Sequence, residues 1–158
     1  MTPNDGVSRR TALRLAGIAA LPVAVAGCTS DDDNGDGSDD AEYVDDEAEY
    51  DGWLEDTPNY EGTLDYTGED EVTVDVGAGD GFQFDPAAIR VDEGTTVVWE
   101  WTGDGGGHDV VDTDGAFESE MKTAAGETFE HTFDETGVYT YVCVPHENMD
   151  MKGAVDVV

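Results

Sequence analysis

The segment Tyr141-Val142-Cys143-Val144-Pro145-His146-Glu147-Asn148-Met149-Asp150-Met151 carries a thiol, an imidazole and two thioethers in quick succession. Two residues separate Cys143 from His146 and four separate His146 from Met151, so a tight turn after a strand can aim sulfur, nitrogen and thioether at one point. A thiolate, two imidazoles and a weak axial thioether form the donor set of a mononuclear copper electron-transfer site. The second imidazole is available from His108, which follows Gly105-Gly106-Gly107. Met149 and Met151 compete for the axial place. His131, flanked by Glu130 and Thr132 with no turn to aim it, reads as a strand histidine, and Met121 as a packing residue of a loop.

Other uses of the same side chains account for less. A lone Cys143 would be read as a buried, inert thiol if His146 and Met151 were not beside it. Nucleophilic catalysis from Cys143, His108 and Asp109 leaves the methionine and the extra histidine without a purpose. A copper enzyme needs an open coordination position or a second metal, and His131 by itself builds neither.

The elements that must position these donors are short strands. Val72, Val74 and Val76 alternate with Thr73 and Asp75, and Val97, Trp99 and Trp101 fall on one side of a second run. Phe129, His131 and Phe133 share one face of a strand, and Tyr139, Tyr141 and Cys143 share one face of the next. If the tyrosines point inward, Cys143 at the strand end points inward too. Gly77 to Gly81, Asp92-Glu93-Gly94, Gly103 to Gly107 and Asp134-Glu135-Thr136-Gly137 supply the turns. Repeated strands of period two without a long amphipathic helix predict an all-β sandwich.

The N-terminal third has a different character. Ser8-Arg9-Arg10-Thr11-Ala12-Leu13-Arg14 is a twin-arginine pattern, followed by an uncharged run from Leu15 to Gly27 that is short for a membrane span. Val25-Ala26-Gly27-Cys28 resembles the lipobox of exported lipoproteins, which makes Cys28 the expected lipidation site and residues 1–27 the expected signal peptide. Residues 28–49 hold Asp31-Asp32-Asp33 and Asp39-Asp40 among Glu, Gly and Ser, and read as a disordered acidic tether. Tyr50, Trp53, Leu54 and Tyr60 restore apolar content, so the domain is expected over 50–158. With Cys28 lipidated, Cys143 has no disulfide partner.

Charge narrows the partners. The 158 residues hold 39 acids against 6 bases, a net charge of -33 at neutral pH, which excludes nucleic-acid binding through phosphate contacts. Such repulsion is relieved by screening, so a high-salt environment is expected.

Four pieces carry a family resemblance: Phe82-Gln83-Phe84-Asp85-Pro86, Gly94-Thr95-Thr96-Val97-Val98-Trp99-Glu100-Trp101, Gly107-His108-Asp109-Val110-Val111, and Tyr141-Val142-Cys143-Val144-Pro145-His146 through Met151-Lys152-Gly153. Together they resemble the halocyanins, plastocyanin-like blue copper proteins of halophilic archaea. The resemblance implies a Greek-key cupredoxin sandwich, one type 1 copper per chain, and the ligands His108, Cys143, His146 and Met151. It also implies a one-electron carrier and not an enzyme, monomeric, anchored to the outer face of the cell membrane through Cys28, with redox proteins of a membrane electron-transport chain as partners. An exported copper-binding or copper-storage module is the alternative reading. Asp109 departs from the asparagine often found after the first histidine in plastocyanin-like proteins. An ionised carboxylate there cannot donate the hydrogen bond that braces the ligand loops.

Overall fold

The computed structural model describes residues 41–158. The expected signal peptide, the lipidation site Cys28 and the first part of the acidic tether lie outside the described residues.

Among the described residues nine strands build two facing sheets. They are β1 (Leu64–Asp65), β2 (Glu71–Ala78), β3 (Gln83–Asp85), β4 (Ala88–Val91), β5 (Thr96–Trp101), β6 (Val111–Asp112), β7 (Thr128–Thr132), β8 (Gly137–Val142) and β9 (Lys152–Val157). One sheet has the order β1-β4-β9-β8-β6 and the other β3-β2-β5-β7. Both are mixed: β1, β4 and β9 run parallel to their neighbours in that row, as do β2 and β5, while the remaining pairs are antiparallel. The chain changes sheet repeatedly, and β8 and β9 form the final hairpin. A 3-10 turn, Val144–Met149, connects those two strands.

Alternation is the reason for the sandwich. Val72, Val74 and Val76 on β2 and Val97, Trp99 and Trp101 on β5 are buried, while Glu71, Thr73 and Glu100 between them are exposed. They face Ile89, Val91, Tyr141, Val155 and Val157 of the other sheet in a single core. Trp99 lies at its centre, with ring centroids 5.2 Å from Phe117, 5.6 Å from Phe129 and 5.4 Å from Tyr141. Cys143 and Met151 belong to the same core cluster.

Strand β9 departs from the period. Residues 153–157 are all buried, because the outer face of this sheet is also covered. Tyr50 and Leu54 pack on Ala88 and Ala154, with Ala48, Trp53 and Tyr60 around them. A strand covered on both faces loses its alternation. The ordered structure also reaches back past Tyr50, into the stretch that composition assigns to the tether. Tyr43 bridges to Leu64, the Arg90 side chain donates to the Asp46 carbonyl at 2.8 Å, and Tyr60 and Thr63 donate to the Glu47 carboxylate. Acidic residues can belong to a packed segment when they supply acceptors of this kind, a distinction that composition does not make.

Candidate metal centre

Three donors meet at one end of the sandwich. Cys143 follows β8 and precedes the 3-10 turn, so the inward parity of Tyr141 carries its sulfur into the core, where it is fully buried. Pro145 stands in the first turn of the 3-10 segment, and the His146 amide donates to the Cys143 carbonyl at 3.1 Å, folding the imidazole back over the sulfur. The chain then closes on itself. Asp150 takes a left-handed conformation at φ 57°, the Met151 amide meets the His146 carbonyl at 3.4 Å, and the Cys143 amide donates to the Met151 carbonyl at 3.0 Å.

His108 arrives from the other side, between β5 and β6. Its backbone exchanges two hydrogen bonds of 3.0 Å with Lys122, and the Trp101 indole N–H donates to its carbonyl at 3.1 Å. His108 Nε2 lies 2.7 Å from the Asp104 carbonyl. Because a carbonyl only accepts, Nε2 carries the proton in the neutral ring and Nδ1 presents its lone pair. Gly77 makes room for this arrangement. At φ +89° a Cβ there would fall 2.8 Å from the Asp104 carbonyl oxygen and 3.1 Å from His108 Nε2.

The donors form a triangle. Cys143 Sγ is 3.6 Å from His108 Nδ1 and 3.4 Å from His146 Nδ1, and the two Nδ1 atoms are 3.0 Å apart. Its centre lies about 2 Å from each corner, close to the roughly 2.0–2.1 Å of a first-row metal–imidazole bond. Lone pairs turned toward one another at these distances need a proton or a cation between them. The arrangement therefore fits a metal ion, and a sulfur with two imidazoles suits copper.

Burial differs between the histidines. His108 is buried and His146 partly exposed, with the Phe82 ring edge-on at 4.9 Å. The methionines differ as well: Met151 is fully buried, while Met149 is exposed. Burial pushes the Cys143 thiol up to about 11, opposed by the backbone amides of Asp109 and His146 and reinforced by the Asp109 charge. Burial, followed by the neighbouring His108, pulls the His146 imidazole down. The metal-free site thus favours neutral forms, and a metal entering it displaces the thiol proton.

Asp109 braces the two ligand loops with the polarity reversed from the expected asparagine bond. Its Oδ1 accepts from the Val144 amide at 2.8 Å, so an ionised carboxylate suffices. Trp101, Asp104 and Phe82 also shape the site, and spacing in the sequence does not disclose them because their contacts are made by backbone carbonyls and a ring edge. His131 stays away from the cluster. It lies on β7 between Phe117 and Phe133, with centroid distances of 5.0 and 4.8 Å. Met121 is not packed inside; it is exposed, beside Gly107.

The model of copper binding proteins of the plastocyanin/azurin family matches residues 70–158. Halocyanin of Natronomonas pharaonis is 61% identical over 83 residues, covering 50% of this chain and 51% of that protein. The chain thus spans about half the length of that halocyanin. Plastocyanin of Scenedesmus fuscus is 31% identical over 84 residues, covering 47% of this chain and 85% of that protein. A mutant fern plastocyanin aligns in structure with a TM-score of 0.47 and 25% identity, covering 55% of this chain and 100% of that one. With two facing β-sheets, a sulfur and two imidazoles converging at one end, and a family match over more than half of its length, the chain belongs to the plastocyanin/azurin family of copper-binding proteins.

Proposed function

We propose that this protein is a one-electron carrier whose copper is held by His108, Cys143, His146 and Met151. The observation that carries the reading is the convergence of Cys143 Sγ with two Nδ1 atoms, one of them aimed by the Asp104 carbonyl at 2.7 Å. Copper supplies the one-electron couple when bound. The chain supplies rigidity: Trp101 and Lys122 hold His108 by its backbone, and Asp109 ties the two ligand loops together. Ligands held in this way move little between oxidation states. Met151 would supply the fourth, thioether ligand, because its side chain is enclosed in the core with Cys143 while that of Met149 is exposed.

Electrons pass through the His146 edge. Phe82 meets its ring edge-on, and the same turn carries Pro145 and the exposed Val144 and Met149, apolar surface against which a redox partner can exclude water. The partners are redox proteins of a membrane electron-transport chain. The twin-arginine stretch, Cys28 and the acidic tether support export and anchoring by an N-terminal lipid. Among the described residues no helix is long and apolar enough to cross a membrane.

Copper reconstitution tests the ligand set. The loaded protein should show an intense visible thiolate-to-copper band, and Cys143→Ser should abolish it. A colourless loaded protein, or one still blue after that substitution, refutes the reading. A blue protein that exchanges no electrons with any small redox couple would favour copper storage instead.

A further inference from the structure

One indole ties the lead-in segment to the two residues that follow Met151. Trp53 Nε1 donates to the Gly153 carbonyl at 3.2 Å, across 100 positions of sequence. Lys152 Nζ lies 4.9 Å from the centroid of the same ring and 3.2 Å from Asp150 Oδ1. Pairing between β4 and β9 begins only at Ala88 with Ala154, so the strand leading out of Met151 has no β4 partner at Gly153. Gly153 is held on one side by its β8 partner Tyr141, and Trp53, packed against the cluster that contains Ala88 and Ala154, adds the contact to its carbonyl. From the other direction Tyr141 presses on Gly153 so closely that a Cβ there would meet its hydroxyl oxygen at 2.4 Å. The indole is itself anchored, since the Trp53 amide donates to the Tyr50 carbonyl at 2.9 Å and the adjoining Leu54 is buried.

We infer that Trp53 is a positioning residue for the Met151 thioether, so that the segment preceding the sandwich helps set the electronic character of the copper site. This rests on Met151 being the axial donor. A long axial bond to copper is weak, and the potential responds to what occupies that position. Small displacements of such a donor change its contribution more than those of the equatorial ligands, which the Asp104 and Asp109 contacts already fix. The backbone of Met151 is held at its own amide and carbonyl by the ligand loop. Trp53 supplies the restraint on the C-terminal side, at Lys152 and Gly153.

Trp53→Phe tests this role, because it keeps an aromatic ring for Lys152 while removing the N–H donor along with the second ring of the indole. Tyr60→Phe is the comparison: it removes the lead-in bond to Glu47 without touching β9. Copper-loaded wild type and both variants are measured by visible and electron paramagnetic resonance spectroscopy and by equilibrium electron exchange with a fixed small redox couple. The metal-free forms are measured by amide hydrogen exchange. Trp53→Phe should keep the blue band, alter the relative band intensities, change the exchange equilibrium at least about threefold, and speed amide exchange at Met151 and Gly153. Tyr60→Phe should leave all of these as in wild type. A blue wild type with an indistinguishable Trp53→Phe overturns the positioning role and leaves the ligand set standing. Equal changes in Tyr60→Phe overturn it as well, by showing a general effect of lead-in stability. A colourless wild type removes the ligand reading and this inference together.

Discussion

Asp109 and Cys143 act on the same site by different physics. The Asp109 carboxylate accepts from Val144 and also places a negative charge beside the sulfur. Asp109→Asn keeps an acceptor and removes the charge, so the higher oxidation state loses stabilisation. The expected result is a raised reduction potential with little change in thermal stability, read by redox titration and calorimetry. Asp109→Ala removes the acceptor too and should cost about 1–2 kcal/mol in denaturant unfolding of the metal-free protein. For Cys143 the sign follows from its direction of shift. The folded metal-free protein holds the thiol proton more tightly than the unfolded chain, raised from 9.0 to about 11. Its contribution to stability is therefore complete below the unfolded value and is lost as pH rises through that window. Cys143→Ser should flatten this alkaline loss in pH-dependent unfolding of the metal-free protein. Copper loading should remove the same proton, so apparent affinity measured against a chelator should gain up to about tenfold per pH unit near neutrality.

At the scale of elements, the sheet β1-β4-β9-β8-β6 is braced from outside. Arg90 and Asp156 face each other across β4 and β9, with Nε 2.7 Å from Oδ2, and the same guanidinium reaches the Asp46 carbonyl. Arg90→Ala leaves a mostly buried carboxylate without its partner and frees the lead-in. A loss of about 2–4 kcal/mol in chemical denaturation is expected, below the full range for buried pairs because the guanidinium is partly exposed. Leu54→Ala should cost about 2–4 kcal/mol by opening a cavity against Ala88 and Ala154. In both variants the copper-loaded protein should keep its blue band, since neither side chain belongs to the donor set. Loss of the band in a folded variant would show that the outer layer and the site are more tightly coupled than the contacts indicate.

For the whole molecule, charge sets the working conditions. A net charge of -33 on 158 residues makes self-repulsion a destabilising term that salt screens. The screening length falls from about 10 Å at 0.1 M to about 3 Å at 1 M. The midpoint of thermal unfolding should rise over that range with sodium or potassium chloride, and most of the rise should survive exchange of one monovalent salt for the other. A midpoint independent of salt would mean that the acids are already balanced by their local hydrogen bonds.

Sequence alone determined which side chains could hold a soft metal and which strands would carry them. The Cys-His-Met spacing is local, and the period-two runs of β2 and β5 report directly on which face is buried. The distant His108 was legible because few histidines compete with it and its glycine-rich neighbours mark a loop. Only the tertiary structure decided how these pieces are held. The Asp104 carbonyl that fixes the His108 tautomer depends on the path of one short loop, and the direction of the Asp109 hydrogen bond and the packing of residues 41–49 depend on groups brought together from far apart in the chain. The choice between Met151 and Met149 drew on both: resemblance favoured Met151, and burial separates the two, because one side chain follows the strand into the core while the other stays on the turn. A sequence names donors and periodicities, but the placement of carbonyls, amides and ring edges is written only in the folded backbone.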